Sequence, residues 1–308
     1  MKKDFEQRSK AVIEALTVLV RVDPHVVFLG GSSIQALLEK PRRLSIDLDV
    51  AYPGETAKLI HGLEAAGYEV KERKSPNPDF AFYTLTKDGV MVKLDVSRYT
   101  IKKTETHKIR GLDVLLPEKS YFLAAKLSAL SLGTIGRHYA EPVQIIKDIF
   151  DINCLLDIET DIENMRNHWL EIISDENRLW GTQFNENECT EGTQKTLLKC
   201  VEASRALGFS IQPSALATFQ ESLTEGKLIR QDVVTMAARA LLLLAQMNQK
   251  FYEIEKKIPA EAKDKKKLEE AETTLTTKNA LAPQHINAIK IIAPNALIYL
   301  KYWSDKKH

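Results

Sequence analysis

The chain has 308 residues, room for two ordinary domains at roughly 150 residues each. Its 44% hydrophobic and 28% charged content is that of an ordinary globular chain, and a net charge of +1 excludes any global attraction to nucleic acid. Cys154, Cys189 and Cys200 sit in helical patterns without disulfide-framework or zinc spacing, the N-terminus lacks a signal-like apolar run, and the stretch Ala237 to Met247 is too short to span a bilayer, so a cytoplasmic protein with no membrane segment is expected.

In chain order, residues 4 to 21 read as an amphipathic helix with Asp4 as N-cap and Leu16, Leu19 and Val20 within a wide apolar arc. Val26 to Leu29 then reads as a buried strand, Gly30-Gly31 as a turn, and Ser32 or Ser33 as the start of a short helix. A second strand carries Asp47-Leu48-Asp49. Glycine lets a backbone approach a phosphate, and the unpaired amides of a helix start attract an anion. Two carboxylates at i and i+2 on a strand point to one side, where their oxygens can hold Mg²⁺. Either half alone is common without such a role. Joined by so short a helix, they point to a phosphate-and-metal site.

Tyr52-Pro53-Gly54 reads as a turn and Glu55 to Ala66 as a helix closed by Gly67. Three strands follow, Tyr68 to Arg73, Phe80 to Thr86 and Val90 to Arg98, the last two joined by an Asp88-Gly89 hairpin turn. A second hairpin is expected around Arg110-Gly111. Hairpins mixed with helices indicate an α+β domain. Asp95 alternates with Val92, Leu94 and Val96, so it leaves the apolar face. Beside the Asp47 strand it would be a third carboxylate, suited to a second metal and to accepting a hydroxyl proton. A solvent-facing Lys-x-Asp accounts for the pattern equally well.

Pro117 opens a helix whose apolar arc includes Phe122, Leu123, Leu127 and Leu130. Lys126 falls inside that arc and must snorkel or meet an anion, either a triphosphate or a core carboxylate. After a loop with Gly133, Gly136, Arg137 and His138, Pro142 opens a helix to Leu156. Asp148 lies at the edge of that helix's apolar arc and is the expected partner of Lys126. Beyond about residue 157 helical patterns dominate, at Ile162 to Ile173, Gln194 to Leu207, Pro213 to Leu223, Leu228 to Tyr252 and Pro294 to Trp303. The charge-dense stretch Glu253 to Glu272, with Lys263 to Lys267, reads as a solvated face or, less readily, an RNA-contacting patch.

These residues together resemble the nucleotidyltransferase superfamily, specifically its AbiEii/AbiGii type IV toxin-like branch. The resemblance rests on Gly30-Gly31-Ser32-Ser33, on Arg43-Leu44-Ser45-Ile46-Asp47-Leu48-Asp49, and on the lysine helix from Leu123 to Leu130. Arg137 with Lys147-Asp148-Ile149-Phe150-Asp151 is similar to the closing Arg … Arg-Asp-x-x-Asp element, Lys147 replacing the usual arginine. The match spans residues 25 to 155. It implies a nucleotidyltransferase-type mixed sheet with flanking helices in a catalytic domain over 1–156, followed by an all-helical domain over 157–308. It further implies transfer of a nucleoside monophosphate from an NTP to an acceptor hydroxyl, the 3′ end of tRNA in characterised relatives, with a separately encoded antitoxin. The implied roles are Asp47, Asp49 and Asp95 as ligands of a two-Mg²⁺ site, and Gly30, Gly31, Ser32, Ser33, Lys126 and Arg137 as nucleotide contacts. Asp47, Asp49, Asp95, Lys126 and Asp148 form the catalytic set. Nucleotidylation of a small molecule or a protein, and a non-catalytic NTP-binding interaction module on this scaffold, are the alternatives.

Overall fold

A computed structural model describes residues 2–75, 77–137, 141–158, 161–202, 213–247 and 250–306. The chain divides into two compact units, Met1–Phe122 with Glu221–Gly226, and Leu123–Gln220 with Lys227–His308.

The first unit begins with helix α1 (Lys2–Val22), strand β1 (Val27–Leu29), helix α2 (Gly30–Leu37), strand β2 (Asp47–Ala51) and helix α3 (Thr56–Ala65). Strands β3 (Glu69–Arg73), β4 (Phe80–Lys87), β5 (Val90–Ser97), β6 (Thr104–Ile109) and β7 (Leu112–Pro117) follow. They form one seven-stranded sheet in the order β3-β4-β5-β2-β1-β7-β6. The sheet is mixed, since β2 runs parallel to β5 and β1 parallel to β7 while the other pairs are antiparallel. Both expected hairpins form. Asp88 and Gly89 take positive φ of 51° and 75°, and Arg110 and Gly111 repeat this with 49° and 82°. Two consecutive left-handed residues give the turn whose twist matches the strands it joins.

Ala81, Tyr83, Leu85, Val92, Leu94, Val96, Leu48 and Val50 are buried on one face of the sheet, which packs on α1. Burying each of the valine and leucine side chains contributes about 1.5–3 kcal/mol. Asp47, Asp49, Asp95, Lys93, Phe82 and Thr84 occupy the opposite face, and none is fully buried. The burial fixes the register, because a slip of one residue would send the aspartates into the core.

Residues 221–226 complete this unit. Leu44 N–H donates to Ser222 O at 2.6 Å and Thr224 N–H to Arg42 O at 3.1 Å. Thr224 Oγ1 donates to Pro41 O at 2.7 Å, and Arg43 and Leu223 form an antiparallel bridge. From the other side, the buried Gln35 Oε1 accepts the N–H groups of Arg42 and Arg43 at 2.9 and 3.1 Å. The loop leading into β2 is therefore gripped by α2 and by a strap from far along the chain.

Helix α4 (Lys119–Ala129) crosses the boundary between the units, and the second unit is helical. It contains α5 (Pro142–Asp157), α6 (Met165–Trp180), α7 (Glu186–Val201), α8 (Pro213–Gln220) and α9 (Arg230–Gln246). It ends with α10 (Lys250–Glu255), α11 (Ile258–Glu261), α12 (Lys265–Thr277), α13 (Pro283–Ile292) and α14 (Pro294–Ser304). Apolar α9 is its core, buried from Val233 to Leu244 on most of its circumference and packed on α5, α7 and α14. Among the described residues no helix is long and apolar enough to cross a membrane.

Several boundaries differ from the sequence expectation: α1 starts at Lys2, so Asp4 lies inside it rather than capping it, and the helix expected over Leu228 to Tyr252 is divided into α9 and α10. The helix expected from Gln194 starts at Glu186, because Asn185 and Glu188 form a reciprocal capping box. Positions 203–207 of that expected helix lie outside the described residues. Helix α8 stops at Gln220, since the next residues leave to pair in the first unit. The charge-dense stretch is ordered as α10 to α12, with Asp264 capping α12. Lys265 faces Glu269 at 4.0 Å and Lys267 faces Glu270 at 2.9 Å, so two of the cluster's positive charges face acids one turn away.

Candidate active site

Within the first unit the glycine turn and the aspartate strand are packed against each other. Gly30 has a positive φ of 72°, and a Cβ built on it would lie 2.7 Å from Asp49 Cγ and closer still to Oδ2. Only glycine lets this backbone and this carboxylate share the space. Ser33, fully buried, donates to Gly30 O at 2.7 Å and stiffens the turn. Ser32 Oγ donates to Asp47 O at 2.6 Å, tying the start of α2 to β2. The helix starts at Gly30, two or three residues before the serines expected to open it.

Gly30→Ala is therefore expected to lose transfer activity and lower the thermal midpoint. A non-glycine residue held at positive φ costs about 1–3 kcal/mol before the collision with Asp49 is counted. Thermal unfolding and turnover measured side by side check this.

Asp95 stands opposite Asp49 in the parallel β2–β5 register, and Asp47 stands opposite Lys93. The expected neighbour relation of the two strands is present. Asp95 does not simply point at its two counterparts, however. Its Oδ1 accepts a hydrogen bond from Arg73 Nη2, reaching across from β3. Arg73, Phe82 and Asp95 are successive partners across β3, β4 and β5, and the guanidinium lies over the Phe82 ring, 5.3 Å from its centroid. Burial pushes the Asp95 carboxyl above the ordinary carboxylate range; Arg73 pulls it down, and the charge of Asp47 raises it again. Arg73 escaped the sequence reading. Its only signal is register across three strands.

Among the described residues no group of three or more His, Cys, Asp or Glu side chains is gathered closely enough to hold a metal ion. Arg73 supplies a physical reason, since it engages the third carboxylate. The donors nonetheless fit a hard divalent cation. They are carboxylates on one sheet face, and Asp47 and Asp95 bear on each other electrostatically.

The second unit holds the other expected residues. Lys126 Nζ, largely buried, lies 2.9 Å from Asp148 Oδ1 and 3.0 Å from Asp151 Oδ2, both carboxylates being fully buried. Arg137 Nη1 donates to Asp148 Oδ2. A Cβ on Gly136 would sit 2.7 Å from Ser128 O and Ser131 O, so glycine permits the tight turn that precedes Arg137. These contacts tie two cations and two carboxylates into a network joining α4 to α5. The sequence pointed to Asp148 as the partner of Lys126 but assigned no such role to Asp151. His138 lies outside the described residues.

A glycine turn on a strand–helix junction, with paired aspartates on the adjacent strand of a mixed sheet, is an arrangement suited to nucleotidyl transfer. The family model for "Nucleotidyl transferase AbiEii toxin, Type IV TA system" matches residues 13–246. The chain belongs to that family. Solved structures similar to it include a candidate nucleotidyltransferase from H. pylori, 14% identical, with 62% of this chain and 92% of that chain covered and a TM-score of 0.39. Another is an antigenic nucleotidyltransferase-like protein from Paracoccidioides brasiliensis, at 15% identity, 61% and 93% coverage and a TM-score of 0.37. JHP933 from Helicobacter pylori shares 18% identity over 76% of this chain and 92% of its own, with a TM-score of 0.41. No curated protein matches.

Proposed function

We propose that this chain is a metal-dependent, cytoplasmic nucleotidyltransferase that moves an NMP from an NTP to the 3′-terminal hydroxyl of tRNA. The observation that carries the reading is the packing of Gly30 on Asp49, which brings a backbone suited to phosphate and a carboxylate suited to a cation to one place. The tRNA acceptor is supported by family membership, which also implies a separately encoded antitoxin partner. The lysine cluster on α12 lends less support than its sequence suggested, because Lys265 and Lys267 face acids.

In this reading residues 1–156 act as the catalytic domain and 157–308 as the helical C-terminal domain. Asp47, Asp49 and Asp95 would hold Mg²⁺, which when bound supplies positive charge to the triphosphate and the acceptor oxygen. The backbone of Gly30 and Gly31, with Ser32, would hold the terminal phosphates, while Ser33, expected from the sequence to join them, is fully buried and braces the turn instead. Asp95, beside Asp49 on the neighbouring strand, would orient the acceptor hydroxyl and take its proton. Lys126 and Arg137 offset charge on the departing pyrophosphate, and Asp148 positions both cations. In-line phosphoryl transfer needs chiefly positioning and electrostatics, so no covalent nucleophile is required.

The test is to incubate the protein with each α-labelled NTP and Mg²⁺, together with total tRNA, cell protein or no acceptor. Label is expected on tRNA. Label only on protein or on a small molecule would overturn the acceptor and leave the transferase standing.

A further inference from the structure

The sheet face that carries the aspartates continues outward over β5, β4 and β3 with a composition of its own. One step along each strand pairing leads from Asp49 to Asp95, Phe82 and Arg73, and a parallel row leads from Asp47 to Lys93, Thr84 and Lys71. Phe80 and Phe82 project on this side with ring planes within 5° of parallel and centroids 6.3 Å apart. They are half-buried rather than sunk in the core, while Lys93 and Lys71 are exposed. Lys71 pairs with Glu69 at 2.7 Å, but both side chains are well exposed, so a phosphate can take the place of the acid.

From this face we infer an acceptor site: the β3–β4–β5 platform binds the unpaired 3′-terminal nucleotides of a single-stranded RNA. The inference rests on the transfer reading above and says where its acceptor lies. Aromatic rings give a base a sequence-tolerant stacking surface, and interleaved cations follow the phosphates. Arg73, lying over Phe82, presents its own guanidinium plane as a further surface for a base. Adjacent strands are about 4.8 Å apart, so a base on Phe82 is one strand from Asp95. A nucleotide spans that distance from base to ribose hydroxyl. A peptide partner would gain nothing specific from aromatic rings alternating with lysines, whereas an RNA strand uses both.

The experiment uses the whole chain and a single-stranded RNA dodecamer carrying 5-iodouridine at its 3′ end. Irradiation of the wild-type complex should cross-link the oligonucleotide to the peptide containing Phe80 and Phe82. Phe82→Leu and Phe80→Leu should each weaken dodecamer binding by about tenfold, with NTP binding unchanged. Lys93→Gln should weaken it further at low salt than at high salt. If the wild-type protein labels RNA but cross-links elsewhere, and Phe82→Leu binds the dodecamer normally, the platform is wrong and the transfer reading survives. If no RNA is labelled while the cross-link and the Phe82→Leu loss persist, the binding site stands and the transfer reading falls. A protein that neither labels RNA nor cross-links to the dodecamer overturns both.

Discussion

Asp47→Ala is expected to reduce NMP transfer by about 10²–10³-fold or more, while the metal-free protein melts no earlier than wild type. Asp49→Ala should lose transfer to the same extent. The stability half of this expectation follows from the charge arrangement at Asp95, whose carboxyl is pushed upward by burial and by the charge of Asp47. A group with a raised folded-state pKa contributes stability below its unfolded pKa, and that contribution is lost as pH rises through the folded value. Above that value the ionised Asp95 therefore opposes folding, and removing the charge of Asp47 relieves it. Thermal unfolding in chelator and turnover in Mg²⁺ separate the two effects. A variant that keeps wild-type turnover removes Asp47 or Asp49 from the cation site.

Lys126→Met is expected to destabilise the fold strongly, by about 3–5 kcal/mol. The sequence alone suggested the reverse, since methionine fits an apolar arc better than lysine does. The surroundings decide the sign. Lys126 lies between Asp148 and Asp151, which are 1% and 0% exposed, and removing it would leave two buried carboxylates with Arg137 as their remaining cation in this network. Breaking one member of a buried network costs far more than the network contributes over an apolar one. The triple change Lys126→Met, Asp148→Asn, Asp151→Asn should recover much of the loss, measured by urea unfolding. A single variant as stable as wild type would show that water or rearrangement takes over the ammonium's role.

What the sequence made legible was local. The Gly30-Gly31 turn, the same-side placement of Asp47 and Asp49, and the Asp88-Gly89 hairpin each follow from a few consecutive residues. Lys126 stood out because a charge on an apolar helical arc is an anomaly wherever the chain goes. Arg73 did not, because an arginine at a strand end is ordinary until β3, β4 and β5 are placed in register beside Asp95. The early end of α8 was hidden for the same reason. Residues 221–226 look like the tail of a helix, and only pairing with a loop far earlier in the chain pulls them out.

That strap sets an order of events during synthesis. The loop before Asp47 finds Ser222, Leu223 and Thr224 only once that part of the chain has left the ribosome. At common translation rates, roughly 5–20 residues per second, the first unit waits about 5–20 s after its last strand has emerged. Throughout that interval the nascent chain carries the aspartates but not the segment that braces them. An enzyme of a toxin family is thus kept unfinished while it is being made, and a chain cut short before residue 221 never acquires the brace.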